Sequence, residues 1–132
     1  MKKLIFILTV FTLTSCSKSK VNPSYNTTIQ YTYTSTTPAT YVIYYTDSNG
    51  NNIKTNFSGT TWSKTIYTDS TKWVNKNNGI VQFDMQNTQS VSPEITGTIN
   101  IFLNQKLAAT EDIKVQEANG SYSIVAVILK QP

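Results

Sequence analysis

The chain divides into a short apolar run, a polar spacer and a long region in which apolar and polar residues alternate. The apolar run covers Leu4 to Leu13, and the spacer, residues 17–28, is polar and contains Pro23. From Ile29 onward, apolar residues recur at every second position in several stretches, a period typical of β-strands buried on one face. No ten-residue window shows a helical stripe of apolar positions. The pattern therefore predicts an all-β domain.

Seven or eight short strands are predicted within the alternating region. The stretches that carry the pattern are TTIQYTYTS, TYVIYYTD, NIKTNF, TWSKTIYT, GIVQFDMQN, TGTINIFLN, QKLAAT and SYSIVAVILK. We assign Phe83 to an inward face, TYVIYYTD to a central strand and the last stretch to a buried strand. Asn49-Gly50 is typical of a type I′ hairpin turn, because both residues tolerate positive φ. A second hairpin turn is predicted at Asn104-Gln105, across which QKLAAT pairs back. Short strands separated by turn signals favour an antiparallel β-sandwich.

The first fifteen residues have the layout of a secretory signal peptide. Lys2 and Lys3 precede the apolar run, which is too short to cross a membrane because a spanning helix needs about 20 apolar residues. The run ends at Leu-Thr-Ser-Cys, and Cys16 is the single cysteine of the chain. This ending resembles a bacterial lipobox, in which the cysteine receives a diacylglycerol and becomes the first residue of the mature protein. An ordinary signal peptide followed by an unrelated cysteine is the alternative.

The lipobox resemblance implies a domain organisation and a location. It implies a signal peptide over 1–15, a lipidated cysteine and flexible spacer over 16–26, and a β-sandwich domain over 27–132. Two or three acyl chains hold a protein stably on a bilayer, so the membrane is the first predicted partner, through acylated Cys16. Ser17 resembles the residue at that position in lipoproteins sorted to the outer membrane, and no acidic run of the surface-exported kind follows it. We expect the domain to face the periplasm.

Composition excludes several classes of function. All eleven basic residues are lysines, and the chain has no histidine. Once Lys2 and Lys3 leave with the signal peptide, nine lysines against seven acidic residues give a side-chain net charge of +2. A chain without arginine cannot make the bidentate guanine contact, and we predict no nucleic-acid partner. The missing histidine excludes Ser-His-Asp and Cys-His catalysis and ordinary zinc sites.

The remaining candidate chemistry is sparse. A carboxylate pair for glycoside hydrolysis is formally present, but most of the acidic residues fall in turns or at outward strand positions. The stretch DSNGNN spaces Asp47 and Asn49 like calcium ligands, yet it lacks the closing glutamate, and a plain hairpin turn accounts for it. We therefore predict that the protein is not an enzyme and has no cofactor and no metal site.

One tryptophan stands outside the strand pattern. Trp73 lies in the polar segment DSTKWVNKNN, with Lys72 and Lys76 near it. Exposed aromatic side chains often mark binding surfaces, and loops on a rigid sandwich carry function. Trp73, Lys72 and Lys76 are therefore the candidate binding residues, on a polar loop. The alternative is that Trp73 folds back onto the sandwich and contributes only packing.

The order of these stretches resembles the small lipoproteins that carry an MmpS-like domain. The likeness covers about residues 27 to 130 and rests on YYTDSNGN, TTWSKT, GIVQFDMQN, GTINIFLNQKLAAT and GSYSIVAVIL. It implies an immunoglobulin-like antiparallel sandwich and a transport-accessory role. The segment from Asp69 to Asn78 departs from the family pattern, since it is longer than usual.

Two functions of different classes follow from the sequence. The first is a non-catalytic, membrane-anchored envelope lipoprotein whose sandwich binds or scaffolds another envelope component. The second is a carbohydrate-binding module on a lipid tether. An unprotected edge strand favours the first function, whereas three or more exposed aromatic side chains on one flat face favour the second.

Overall fold

The computed structural model describes residues 25–88, 94–115 and 120–128, which form six β-strands and one short α-helix. In chain order these are β1 (Thr27–Thr46), β2 (Asn52–Thr68), α1 (Ser70–Asn77), β3 (Ile80–Asn87), β4 (Ile95–Leu103), β5 (Lys106–Val115) and β6 (Ser121–Val127). Every strand pair is antiparallel. The predicted all-β antiparallel sandwich is confirmed.

A long bent hairpin, β1 with β2, is the centre of the fold. The two strands pair along their whole length except at an irregularity between Thr34 and Ala39. The chain bends there and returns, so that the Tyr31 hydroxyl donates a hydrogen bond of 3.0 Å to the Thr46 carbonyl. The other edge of β1 is divided, with β4 pairing along its first half and β3 along its second. β5 then extends β4, and β6 extends β3, which makes two facing layers joined by one hairpin.

The bend explains why the structure has fewer and longer strands than the sequence predicts. TTIQYTYTS and TYVIYYTD are the two halves of β1, and NIKTNF and TWSKTIYT are the two halves of β2. Pro38 and Gly59 were natural strand boundaries in the sequence, but here they mark the bend. Proline and glycine within a sheet commonly mark a bulge or a sharp corner, because they interrupt the regular ladder.

The core lies between the two layers and follows the predicted alternation. Trp62 of β2 stacks on Phe83 of β3, with ring centroids 5.6 Å apart, and the inward positions of every strand supply the rest. The fully buried side chains include Ile29, Tyr31, Tyr33, Tyr41, Ile43, Val81, Phe83, Met85, Ile99 and Ile101. Burying one large apolar side chain contributes about 1.5–3 kcal/mol, so this alternation is what holds the layers together.

The last strand matches its prediction only in part. We expected SYSIVAVILK to form a buried strand, and among its described residues Ile124, Ala126 and Ile128 are buried. Val125 and Val127 are 51% and 55% exposed. The predicted burial therefore holds for one face of β6 only, because burial alternates along the strand and its outer face lies on the surface of the described structure.

Both predicted hairpin turns are present, but the first has a different form. The β1–β2 turn has five residues, 47–51, and of Asn49 and Gly50 only Gly50 adopts a positive φ, of 76°. A type I′ turn needs positive φ at two successive residues, so that assignment is wrong. The β4–β5 turn does use two such residues, Asn104 at 49° and Gln105 at 67°.

Candidate functional site

The polar segment predicted as a loop is a helix. Asp69 caps α1, and its Oδ1 accepts hydrogen bonds from the N–H groups of Thr71 at 2.9 Å and Lys72 at 3.4 Å. Asn78 and Gly79 then end the helix in left-handed conformations, with φ of 52° and 74°. The loop prediction failed because the helix has only eight residues, too few to show a periodic apolar stripe. Its cap residues, Asp69 before it and Asn78-Gly79 after it, were the signals present in the sequence.

Trp73 lies in the core. Its side chain is 2% exposed, and its Nε1–H donates a hydrogen bond of 3.3 Å to the Ile80 carbonyl. The structure thus matches the packing alternative, and an exposed indole is not available for binding at this position. Lys72 and Lys76 are exposed on the outer side of α1, so they are the accessible members of the predicted site.

The helix and the β1–β2 turn enclose a small basic cleft. It has a volume of about 180 Å³ and is lined by Ser48, Asn49, Lys72, Trp73 and Lys76. The structure therefore brings all three candidate residues to one cleft, but Trp73 contributes only the small part of its surface that is not buried. Two ammonium groups beside a loop favour a polar or anionic contact at this place.

Asp47 organises the turn beside the basic cleft. Its Oδ1 accepts hydrogen bonds of 2.8 Å from the N–H groups of Asn49 and Asn51, and its Oδ2 accepts one of 3.2 Å from the Asn51 side chain. Burial alone would raise the pKa of Asp47, but these hydrogen bonds and the charge of Lys76 lower the pKa below its usual value. The carboxylate thus stabilises the turn, as expected if DSNGNN is a plain hairpin turn and not a calcium loop. Within the described ranges, no group of three or more His, Cys, Asp or Glu side chains is arranged to hold a metal ion.

A larger groove crosses the neighbouring surface of the hairpin. We call it the tyrosine groove; it has a volume of about 480 Å³ and is lined by Tyr25, Tyr45, Asp47, Ser48, Ile53, Lys64, Thr65, Ile66 and Tyr67. Tyr25 and Tyr67 are each 57% exposed, and Tyr45 is half-buried. Aromatic faces next to a carboxylate, an ammonium group and hydroxyls can stack on a ring while hydrogen-bonding to its substituents.

A third groove, of about 430 Å³, lies at the bend of the hairpin. It is lined by Thr34, Ser35, Thr36, Thr96, Gly97, Thr98, Asp112, Ile113 and Lys114. Its hydroxyls are largely bonded within the protein, since Thr36 donates to the Thr96 carbonyl at 3.3 Å and Thr98 to Asp112 at 3.1 Å. Few polar groups here are left to select a ligand, so we place no site in this groove.

The outer edge of β2 is the longest unpaired backbone in the described structure. β2 has 17 residues and pairs with β1 alone. Its first half is polar and includes exposed side chains at Asn52, Lys54 and Asn56. Lysines on an edge discourage unspecific aggregation, but the N–H and C=O groups of the edge stay open to a strand from a partner.

The sequence alone did not identify the tyrosine groove. The sequence predicts a strand around Trp62, Lys64, Ile66 and Tyr67 but assigns Tyr67 to neither face. In the structure the inward positions of that half of β2 are Trp62, Ile66 and Thr68. Tyr67 follows buried Ile66 directly, and that alternation was the available signal. Tyr25 lies in the predicted spacer, where apolar and polar residues do not alternate, so its surroundings could not be inferred from the sequence.

Comparison with known proteins leaves the family open. Neither a protein-family model nor a curated protein matches the chain. The MmpS-like and lipobox resemblances therefore stay predictions. Cys16, the predicted signal peptide and the spacer up to residue 24 lie outside the described residues. Among the helices that are described, none has both the length and the apolar character needed to cross a membrane.

Proposed function

We propose that this protein is a non-catalytic lipoprotein of the bacterial cell envelope, anchored through an acylated Cys16, whose sandwich binds or scaffolds another envelope protein. The proposed location is the outer membrane, with the domain facing the periplasm. The proposed role is that of a transport-accessory protein. Support for the anchor comes from the only cysteine standing directly behind a basic and apolar leader.

The free edge of β2 is the observation that carries the binding role. A partner strand that adds to this edge gains main-chain hydrogen bonds along its length, and the alternating side chains of β2 select its sequence. The opposite edge of β2 is held by β1 over both halves of the hairpin, so the partner meets a rigid template. Ordering only the partner strand reduces the entropy lost on binding.

The anchor is tested by metabolic labelling. We expect a fatty-acid analogue to label the wild-type protein and Cys16→Ala to carry no label, because no other thiol is present. Cys16→Ala should also stay uncleaved or leave the membrane fraction. A mutant that is labelled as strongly as the wild type would refute the lipoprotein.

The edge is tested by a pair of proline substitutions. Successive residues of a strand direct their N–H groups to opposite edges, so one of Thr55→Pro and Asn56→Pro removes a β1–β2 hydrogen bond and the other removes only an outward donor. Unfolding measurements identify the tolerated variant. We expect that variant to lose its crosslinked envelope partners, while a substitution at Thr96, which is exposed on doubly paired β4, keeps them. Unchanged crosslinking in the tolerated variant would refute binding at this edge.

The carbohydrate-binding module is the second candidate, and the tyrosine groove favours it. Three tyrosines line one groove together with Asp47 and Lys64, and base- or sugar-like rings stack well on such faces. We expect Tyr25→Ala and Tyr67→Ala to abolish sedimentation with purified peptidoglycan if this candidate is right. Tyr44→Ala is the matched control, because Tyr44 lies outside the groove beneath Lys54. Equal sedimentation of all variants would refute the candidate.

A further inference from the structure

One end of the sandwich collects both termini of the bent hairpin. The chain enters β1 there, and Asn26 accepts a hydrogen bond of 2.7 Å from the N–H of Ser70 at the start of α1. Thr68, at the end of β2, donates to the Ser48 carbonyl at 3.2 Å, which places the β1–β2 turn at the same end. Asn104 donates its N–H to the Thr28 carbonyl at 2.9 Å, which adds the β4–β5 turn. We call this the entry end, and the opposite end, at residues 34–39, the bend end.

Every large apolar side chain that the described residues leave exposed lies around the entry end. These side chains are Tyr25, Tyr67, Ile80, Leu107, Val125 and Val127, each between 45% and 57% exposed. Tyr67 pairs with Thr28, and Ile80 pairs with Val127. A strand rises about 3.3 Å per residue, so residues within three positions of a strand end lie within about 10 Å of the rim. None of the six is found at the bend end.

The net charge also differs between the entry end and the bend end. The entry end carries Lys54, Lys64, Lys72, Lys76 and Lys106 against Asp47, Asp69 and Asp84, a net charge of +2. At the bend end, Glu94, Glu111 and Asp112 stand against Lys114, a net charge of −2. Lys54 and Asp84 belong to the entry end because both are opposite Tyr44, two positions before the end of β1 at Thr46, and their charges cancel. These are all the charged side chains of the described residues.

We propose that the entry end is a membrane-contact face, which docks the domain onto an anionic lipid surface. The proposal rests on the proposed lipid anchor, because Tyr25 stands nine residues after Cys16 and nine residues reach at most about 30 Å. Tyrosine and aliphatic side chains suit the headgroup boundary, where interfacial elements sink about 5–10 Å. Lysines near an anionic surface add attraction, and the acidic bend end is repelled, so the domain stands with its bend end outward.

Docking through the entry end fixes how the β2 edge and the tyrosine groove are oriented relative to the membrane. β2 starts at the entry end, runs to the bend end and returns, so both halves of its free edge stand upright from the membrane while the tyrosine groove lies near the lipid. A partner strand therefore reaches the β2 edge from the aqueous side, whereas the tyrosine groove faces headgroups.

The test uses the chain that begins at Cys16, coupled through that thiol to a maleimide lipid in vesicles containing 25% phosphatidylglycerol. Every buried core residue lies between Ile29 and Ile128, so omitting residues 1–15 removes none of the described core. A fluorophore is attached through an unnatural amino acid at Leu107 or Val127, with Thr36 at the bend end as the matched position. Quenching by a lipid-borne nitroxide is then compared with quenching by aqueous iodide.

We expect lipid quenching to be at least about fivefold stronger at Leu107 and Val127 than at Thr36, given the depth of interfacial docking. The triple variant Lys72→Gln, Lys76→Gln, Lys106→Gln should lower it to the Thr36 level, and so should neutral phosphatidylcholine vesicles. The control Lys114→Gln, at the bend end, should leave it unchanged.

Three results would overturn the membrane-contact face. The first is equal iodide quenching at all three positions, and the second is lipid quenching that the triple variant does not reduce. The third is protection of the Leu107 probe from both quenchers, which would assign the face to a second copy of the chain. The maleimide anchor keeps the test of the membrane-contact face independent of the proposed lipidation. An unacylated Cys16 in cells would refute the lipoprotein without changing the vesicle result.

Discussion

Replacing Trp73 by alanine distinguishes a packing tryptophan from a binding one. Trp73 is among the largest fully buried side chains and touches the core from α1. Truncating a buried tryptophan costs about 3–5 kcal/mol through lost burial and the cavity left behind. The lost Nε1–H hydrogen bond to the Ile80 carbonyl adds about 1 kcal/mol. A domain of this size has about 5–15 kcal/mol of stability in total, so the variant should be close to unfolding.

Urea unfolding measures this loss directly. Trp62 remains as the fluorescent reporter, and a slope of about 2 kcal/mol per molar urea converts the loss into a midpoint lowered by about 2–3 M. Lys72→Ala is the matched control, because the exposed side chain one position earlier should change stability by less than about 0.5 kcal/mol. Trp73→Phe should fall between the two, since it keeps an aromatic ring and loses the donor.

A midpoint of Trp73→Ala that matches that of Lys72→Ala would refute the packing role of Trp73. The indole would then be outside the core, and an exposed binding surface on α1 would again be the better explanation. A lowered midpoint together with intact partner recovery from the residual folded protein would support packing alone.

Three further predictions follow from particular side chains. Phe83→Ala should lower stability by about 3–5 kcal/mol in urea unfolding, because the ring is fully buried; an unchanged midpoint would contradict its inward assignment. Gly79→Ala should cost at least about 1–2 kcal/mol, since φ is 74° and a Cβ would stand 2.4 Å from the Ile128 carbonyl oxygen. Gly50→Asn, at a positive φ that asparagine tolerates, is its control, and equal stability of the two variants would refute the steric argument. The pKa of Asp47 is lowered in the folded protein, so its carboxylate stabilises the fold at pH values above its unfolded pKa of about 3.9. This stabilisation disappears as the pH falls through the folded pKa. In a pH series of urea midpoints, Asp47→Asn should remove the acid-dependent loss, and an unchanged pH profile would contradict the prediction.

The sequence was informative wherever a residue's environment repeats with the period of its element. Ile29 and Phe83 are inward in the structure because each lies in a period-two stretch with polar neighbours. Asn104-Gln105 formed the predicted turn because turn chemistry is local. These features depend on a few consecutive residues, so one sequence contains the information.

What the sequence did not predict depends on contacts between distant residues. Trp73 is buried because α1 packs beside the start of β3, and no local pattern places it there. Tyr25 and Tyr67 are far apart in sequence and meet only because the hairpin brings β2 back to the start of β1. The bend itself was invisible, since Pro38 and Gly59 look the same at a strand end as at a corner.

The shared strand also fixes how the domain folds. β1 and β2 are joined by a short turn and can form a hairpin early, because local strand pairs close within about 1–10 μs. β4 then joins β1 from about 70 positions away in sequence, a slower step since distant pairings cost more loop entropy. Because β1 belongs to both layers and one core lies between them, unfolding either layer exposes the inward face of the other. The two layers therefore unfold as one cooperative unit.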